Sequence, residues 1–313
     1  MELVVDHPLD LEASLMGGQA HRWRIEGTED DPWFSGVVRG NFIRMRQLGP
    51  NCVEFRAAPW PEASCIPILQ HYFRLDDNLL RIQKEISHDF RVAAMVDQYP
   101  GLRVLRQEPW ECLVAYICSA NSNIQRIHQV LENIAQAFGS PIDLDGHVRH
   151  SFPTPVQLVE AGEMELRRLG LGFRAPYVDR ATREVVEGSL DLNALTRQPY
   201  FEAKERLMQC YGIGSKIADC IAVFSLEKLE AFPIDVWVRR ALGEWYFPGD
   251  KPPPDRELLA WAQGYFGQYA GYAQQYLFHG RRLQKRGKGQ STDVSVEARH
   301  ENMQEETPPG SVG

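Results

Sequence analysis

The chain has 313 residues, 43% of them hydrophobic, and a net charge of −8, so it can form about two or three compact subdomains with a real core. No stretch is apolar enough to span a membrane and the acidic start lacks a secretory signal, so we expect an intracellular protein: in the cytoplasm or nucleoid of a prokaryote, or in the nucleus of a eukaryote. Six scattered cysteines fit reduced thiols, and no Cys/His cluster has the spacing of a zinc site.

The N-terminal third, residues 1–105, is predicted to be mostly β with a helix or two. Apolar and charged residues alternate at 43–46 and again at 53–56, which is typical of half-buried strands. Residues 39–41 (Arg-Gly-Asn) are a hairpin signal. Residues 76–87 are predicted to be helical.

Residues 106–287 are predicted to form a helical domain. A stripe of apolar residues from Ile124 to Phe138 marks one helix, which Gly139 ends. Further helices are predicted at 155–169, 175–188, 199–210, 256–266 (capped by Asp255) and 271–284. Residues 288–313 are polar and are expected to form a disordered tail.

The most informative segment, residues 203–226, is predicted to be a helix-hairpin-helix. Gly212 and Gly214 would allow positive φ and close approach in the hairpin, and Ser215 is expected to cap the second helix. Backbone N–H groups of such a turn can hold a phosphate without reading sequence. By itself the pattern also fits an ordinary turn between helices.

Lys216 and Asp235 add chemistry to this hairpin. A lysine acts as a nucleophile only when part of its population is neutral, and the positive potential of a helix N-terminus disfavours the ammonium form. Asp235 follows Pro233, where a new helix can begin, and its carboxylate could stabilise a developing sugar cation. The alternatives are a solvated lysine and an aspartate that only caps a helix.

Residues 211–235 resemble the helix-hairpin-helix-Gly/Pro-Asp signature of DNA glycosylases, and the lysine-containing form resembles 8-oxoguanine DNA glycosylase/AP lyases. Similar segments occur in the family's order over roughly residues 10–285: 18–24, 109–113, 117–124 with Arg126, 169–175 and 269–274. The resemblance implies an α+β fold: an N-terminal twisted antiparallel β-sheet domain followed by two mostly α-helical subdomains that contain the helix-hairpin-helix. Some relatives carry a four-cysteine iron–sulfur cluster after the signature. No cysteine follows Cys220, so we expect neither that cluster nor any other cofactor.

The resemblance also implies a pocket for the damaged base. Cys220 shares a helix face with Lys216 and could form a pocket wall. Gln274 and Phe278 match residues that contact the edge and the face of the flipped base. Gly18 matches a glycine whose carbonyl detects the extra N7 hydrogen of 8-oxoguanine.

Four further residues match those that handle the duplex. Asn121 matches the residue that fills the gap, Arg126 and Arg174 match those that hydrogen-bond the opposite cytosine, and Phe173 matches an aromatic wedge. The chain departs from the family in having phenylalanine where the wedge is usually tyrosine. It also has Trp237 where the family often has a phosphate-binding histidine.

The function implied is base-excision repair by a monomer acting on double-stranded DNA that contains 8-oxoguanine opposite cytosine. Lys216 would form a Schiff base while Asp235 stabilises the sugar cation, and β-elimination would cut the strand.

Two alternatives are a water-using glycosylase for alkylated bases and a non-catalytic helix-hairpin-helix DNA-binding protein. The net charge argues mildly against nucleic acid unless basic residues cluster. The candidates for such a cluster are Arg22/Arg24, Arg167/Arg168, Arg239/Arg240 and the basic run at 281–288.

Overall fold

The computed structural model describes residues 1–249 and 252–287. It has an antiparallel sheet in the N-terminal region and a larger helical region after it, which confirms the predicted α+β class. The predicted tail at 288–313 lies outside the described residues.

Five antiparallel strands form the N-terminal sheet, in the order β1-β5-β4-β3-β2. They are β1 Glu2–Val4, β2 Arg24–Gly27, β3 Pro32–Val38, β4 Asn41–Gly49 and β5 Cys52–Ala58. The alternation predicted at 43–46 and 53–56 is confirmed, because Ile43, Met45, Val53 and Phe55 are fully buried. The predicted hairpin is also confirmed: Arg39 and Gly40 join β3 to β4 with φ of 47° and 74°.

The N-terminal region is more helical than predicted. It contains α1 Leu11–Leu15, α2 Glu62–Tyr72, α3 Leu79–Ile86 and α4 Phe90–Gln98. The helix expected at 76–87 is α3, which starts where the side chain of Asn78 accepts the N–H of Arg81. These helices were underestimated because short amphipathic segments carry a weaker periodic signal than long ones.

The helical region contains eleven helices among the described residues. They are α5 Pro109–Cys118, α6 Ile124–Phe138, α7 Pro155–Val159, α8 Gly162–Leu166, α9 Ala175–Val186, α10 Leu192–Arg197, α11 Tyr200–Met208, α12 Ser215–Ser225, α13 Val236–Trp245, α14 Asp255–Phe266 and α15 Ala270–Gly287. Helix α5 is buried along nearly its whole length and packs against α12 in the central core. The helix-hairpin-helix of the prediction is α11 and α12.

Four predictions of local structure were wrong. The helix expected at 155–169 is broken into α7 and α8, because Gly162 has a φ of 65°. Ser215 is the first residue of α12 and Gly214 occupies the capping position. Asp255 does not cap α14, since the helix begins at Asp255 itself and the carboxylate is bonded to Arg239.

The fourth error is a small hairpin within the helical region, β6 Pro141–Leu144 and β7 His147–His150, which was not predicted. Its turn residues Asp145 and Gly146 have positive φ, and Asp-Gly between apolar residues is a known hairpin signal. Ile142 and Leu144 pack against the N-terminal sheet. The hairpin therefore ties the two regions together.

Candidate active site

A cavity of about 500 Å³ lies where the two regions meet the helix-hairpin-helix. A smaller one of about 50 Å³ adjoins it and shares several of its lining residues. Together they are lined by both predicted catalytic residues and all four predicted pocket residues: Lys216, Asp235, Gly18, Cys220, Gln274 and Phe278. The structure thus places in one site side chains from the N-terminal loop, α12, the start of α13 and α15.

Lys216 lies in the first turn of α12 and is half-buried. Its Nζ is 5.6 Å from the ring centre of Tyr116, and Cys220 is one helical turn further along the same face. Burial raises the pKa of Cys220 to about 11, although the neighbouring Lys216 lowers it. At neutral pH Cys220 is therefore a neutral thiol. The negatively charged side chain that lines the cavity with Lys216 is Asp235.

Asp235 caps α13 and also lines the cavity. Its Oδ1 accepts the backbone N–H groups of Trp237 at 2.9 Å and Val238 at 2.8 Å. Burial raises the pKa of Asp235, while these two N–H groups and Lys216 oppose the shift. Capping and chemistry were treated as alternatives at the sequence level, but they are compatible, because the carboxylate that caps α13 also lines the cavity.

The loop that carries Gly18 is held from inside the protein. Gly18 has a φ of 88°, and the next residue, Gln19, is fully buried. The Gln19 amide donates to Arg103 O at 2.8 Å and accepts the Leu105 N–H at 2.9 Å. The hydroxyl of Tyr116 donates to Gln19 O at 2.9 Å. Because Tyr116 also lies beside Lys216, one buried ring connects this loop to the predicted nucleophile.

Tyr116 and His21 are lining residues that the sequence analysis missed. Their rings make an edge contact at 5.5 Å. Burial keeps the pKa of Tyr116 well above its ordinary value, so the hydroxyl remains a donor. The available signal was a tyrosine in the mostly apolar helix 109–118, because a buried hydroxyl needs a partner. Trp237 also lines the cavity, with the Arg240 guanidinium 5.3 Å from its ring centre.

The four residues predicted to handle the opposite base lie on two facing segments, one formed by residues 119–123 with the start of α6 and the other by the turn before α9. They are absent from the described lining of the cavity. Arg126 donates to Gly170 O at 2.8 Å. In the reverse direction, Arg174 donates to Ala120 O at 2.7 Å and to Asn121 O at 2.8 Å. Each arginine therefore donates to backbone carbonyls of the segment that carries the other.

Asn121 and Phe173 are exposed members of these two segments. Asn121 is exposed with a φ of 48°, which is uncommon for a non-glycine residue and is tolerated best by asparagine and aspartate. Phe173 is 47% exposed. Both residues therefore lie at the surface of the protein.

The hairpin between α11 and α12 contains two glycines, and its backbone requires glycine at only one of these positions. Gly212 has a φ of 87°, and a Cβ there would lie 2.4 Å from Cγ of Tyr177. Gly214 differs from the prediction: its φ is −92°, and a Cβ there would meet no described atom within 4 Å. Gly214 and Ser215 are exposed at the N-terminus of α12, where backbone N–H groups can hold a phosphate.

Three arginines of the basic pairs proposed from sequence form ion pairs within the protein. Arg22 is buried, and its guanidinium is paired with Glu132 at 2.7 Å, so it does not face DNA. Arg167 pairs with Glu163 at 2.7 Å, and Arg239 pairs with Asp255. The side chains of the run at 281–288 lie outside the described structure.

Within residues 1–249 and 252–287, no helix is long and apolar enough to cross a membrane. The same residues contain no group of three His, Cys, Asp or Glu side chains that could hold a metal ion. All six cysteines are free thiols.

Comparison with known proteins gives matches along most of the chain. Residues 3–113 match the N-terminal domain of 8-oxoguanine DNA glycosylase, and residues 114–262 match the HhH-GPD superfamily of base excision DNA repair proteins. An N-glycosylase/DNA lyase of Arabidopsis thaliana is 30% identical over 86% of this chain and 76% of its own length. A probable N-glycosylase/DNA lyase of Methanothermobacter thermautotrophicus is 34% identical over 62% of this chain and 68% of its own length.

Among solved structures, the chain is similar to the Clostridium acetobutylicum 8-oxoguanine glycosylase/lyase in complex with double-stranded DNA containing cytosine opposite 8-oxoguanine. The TM-score is 0.82 at 29% identity, covering 91% of this chain and 98% of that one. The similarity extends over both regions that form the cavity.

Proposed function

Since this chain belongs to the 8-oxoguanine DNA glycosylases of the HhH-GPD superfamily, we propose that its cavity excises 8-oxoguanine from duplex DNA through Lys216 and then cleaves the strand. The protein is a base-excision glycosylase with AP lyase activity, and DNA is its partner. The observation that carries the residue assignment is the convergence of Lys216 and Asp235 in one cavity.

The first step is displacement of the base. Neutral Lys216 attacks C1′ of the extruded nucleotide, and the C1′–N9 bond breaks with its electron pair leaving on the base, which takes up a proton. Asp235 is held by two backbone N–H groups, so its carboxylate is fixed beside the sugar where positive charge develops. The cap on α13 thus orients the catalytic carboxylate.

The second step is strand cleavage. The nitrogen joined to C1′ loses a proton, the sugar ring opens at the C1′–O4′ bond, and an imine forms between Lys216 and C1′. Loss of a proton from C2′ then expels the 3′ phosphate by β-elimination. We propose that the excised base, still in the pocket, carries this proton. A neutral Cys220 thiol beside Lys216 does not compete as a charged nucleophile.

Selection of the base rests on the smaller cavity. Gly18 would accept the N7 hydrogen of 8-oxoguanine through its carbonyl, because the positive φ and the buried Gln19 anchor fix that loop. Gln274 is buried, lines this cavity and accepts the Gln275 side-chain N–H through Oε1 at 2.7 Å, and it would contact the edge of the base. Phe278 would stack on the ring.

Recognition of the opposite cytosine is assigned to Arg126 and Arg174. Both guanidiniums now donate to carbonyl oxygens, so cytosine, with acceptors at O2 and N3, can replace those partners without a change of hydrogen-bond character. Asn121 would fill the gap left by extrusion, and Phe173 would wedge the duplex. Gly212, Gly214 and Ser215 would hold phosphates of the backbone.

The reaction as written uses protein side chains alone, and we propose that it needs no cofactor. We further propose that the protein acts as a monomer inside the cell, where its DNA substrate lies.

Borohydride trapping tests the assignment. A duplex with 8-oxoguanine opposite cytosine should give a covalent adduct, whereas an undamaged duplex should not. Lys216→Gln should abolish the adduct while it preserves binding, and Lys84→Gln, which alters an exposed lysine on α3, is the matched control. Normal excision by Lys216→Gln would overturn the mechanism. Release of free base only from an alkylated duplex, without an adduct, would favour the water-using alternative.

A further inference from the structure

Three aromatic rings follow one another across the surface from the predicted wedge to the hairpin. Phe173 meets Tyr177 with ring centres 6.1 Å apart, and Tyr177 meets Tyr211 at 4.9 Å, both edge to face. The two end rings are exposed, Phe173 by 47% and Tyr211 by 54%. We call Phe173, Tyr177 and Tyr211 the aromatic strip. Tyr211 has no role in the site described above.

Each exposed ring of the strip has an arginine beside it. The Arg174 guanidinium lies 4.3 Å from the ring centre of Phe173, and that of Arg180 lies 5.8 Å from Tyr211. Arg180 is 62% exposed and also pairs with Glu184 at 3.3 Å. Aromatic faces with adjacent positive charge suit a partner that combines phosphates with flat or apolar surfaces, as the DNA backbone and its bases do.

The middle ring makes the strip rigid. Tyr177 is half-buried and packs directly on Gly212, where even a Cβ would clash with the ring. Phe173 and Tyr177 are four residues apart and lie on one side of α9 and the turn before it. The distance between the wedge and the phosphate-binding hairpin is therefore set by the Tyr177 ring.

We propose that the aromatic strip is a single DNA-binding surface. In it, Tyr211 contacts the sugar-phosphate backbone next to the hairpin, with its hydroxyl donating to a phosphate. Tyr177 is a positioning residue: it holds the Phe173 wedge at a fixed distance from the hairpin, so that gripping the phosphates aligns the wedge with the duplex. The proposal rests on the proposed function for its partner.

Binding measurements test the role of Tyr211. In a Lys216→Gln background, which prevents turnover, fluorescence anisotropy gives Kd for an undamaged duplex and for one with 8-oxoguanine opposite cytosine. Tyr211→Ala should weaken binding to both duplexes by about tenfold. Tyr211→Phe, which lacks only the hydroxyl, should lose most of the affinity that the hydroxyl contributes. Phe201→Ala is the matched control, because Phe201 is 68% exposed on α11 and outside the strip. Unchanged Kd values for both Tyr211 variants would overturn the contact.

Duplex distortion tests the role of Tyr177. A 2-aminopurine next to the lesion becomes brighter when a wedge unstacks it. Phe173→Ala and Tyr177→Ala should both lose this increase at saturating protein, and Tyr177→Phe, which keeps the ring, should retain it. Full distortion by Tyr177→Ala would show that the wedge does not depend on the strip. If Tyr177→Ala caused only a general packing defect, it would lower Tm but would still distort the duplex at saturating protein. Tyr177→Phe would then show little effect.

The proposed function and the DNA-binding role of the aromatic strip can be refuted independently. Borohydride trapping by the unaltered protein decides the proposed function. Binding to undamaged duplex decides the Tyr211 contact, whichever damaged base the protein removes.

Discussion

Replacement of Asp235 should separate chemistry from stability. Asparagine keeps an oxygen that can accept the two N–H groups of Trp237 and Val238, and it is as good a helix cap as aspartate. Burial raises the pKa of Asp235, so the folded protein holds the charged carboxylate at a cost. A carboxyl group with a raised pKa favours folding most below its ordinary pKa, and that contribution is lost as pH rises through the folded value.

At neutral pH, Asp235→Asn removes this cost, but it also loses the attraction to Lys216 and an attraction to the helix N-terminus of about 0.3–1 kcal/mol. The unfolding free energy should therefore change by less than about 1 kcal/mol. Asp235→Ala loses both cap bonds and should cost about 1 kcal/mol, within a range of about 0.5–2 kcal/mol.

Activity should follow a different order. Both variants lose the fixed negative charge beside C1′, so single-turnover excision should fall by at least about 100-fold in each. Urea unfolding at pH 7 and pH 4, beside single-turnover kinetics on an 8-oxoguanine duplex, measures the two effects independently. If Asp235→Asn excised the base at the normal rate, or if activity fell only in proportion to stability, the carboxylate would be a cap and nothing more.

Three further predictions concern the framework of the site. Gly212→Ala should destabilise the fold and weaken DNA binding, because the φ of 87° and the neighbouring Tyr177 ring exclude a Cβ. The control is Gly214→Ala, since a Cβ at Gly214 has open space. Equal urea midpoints and equal Kd values for the two variants would contradict this prediction. Glu132→Gln removes a negative charge that pairs with the buried guanidinium of Arg22. It should lower the free energy of unfolding in urea by about 3–5 kcal/mol, whereas the loss of a surface ion pair should lower it by less than about 1 kcal/mol. Alkylation of Cys220 by iodoacetamide should be slow at pH 7 and accelerate as pH approaches its pKa of about 11, and rapid labelling of Cys220 at pH 7 in mass-spectrometric mapping would show a thiolate in the resting site.

Local patterns in the sequence determined much of the fold. Alternation of apolar residues located β4 and β5, and the Arg-Gly-Asn signal located the hairpin between β3 and β4, since side-chain period and turn geometry are properties of a few adjacent residues. The helix-hairpin-helix and the start of α13 were readable for the same reason. The predicted helix boundaries were wrong where a single backbone angle ends a helix, as the positive φ of Gly162 does. The β6–β7 hairpin was recognisable only by its turn, because its strands are very short.

The composition of the site was decided by the tertiary structure. Sequence spacing placed Lys216 and Cys220 on one face of a helix, but only packing brings Gly18 and Phe278 from opposite ends of the chain into the same cavity. Tyr116 was not identified from the sequence, and its hydroxyl holds the Gly18 loop in the folded protein. Arg22 resembled a basic surface residue and is instead a buried ion-pair partner. Periodicity reports which face of an element is apolar, whereas a buried polar contact depends on a partner far away in sequence, and only the folded chain supplies that partner.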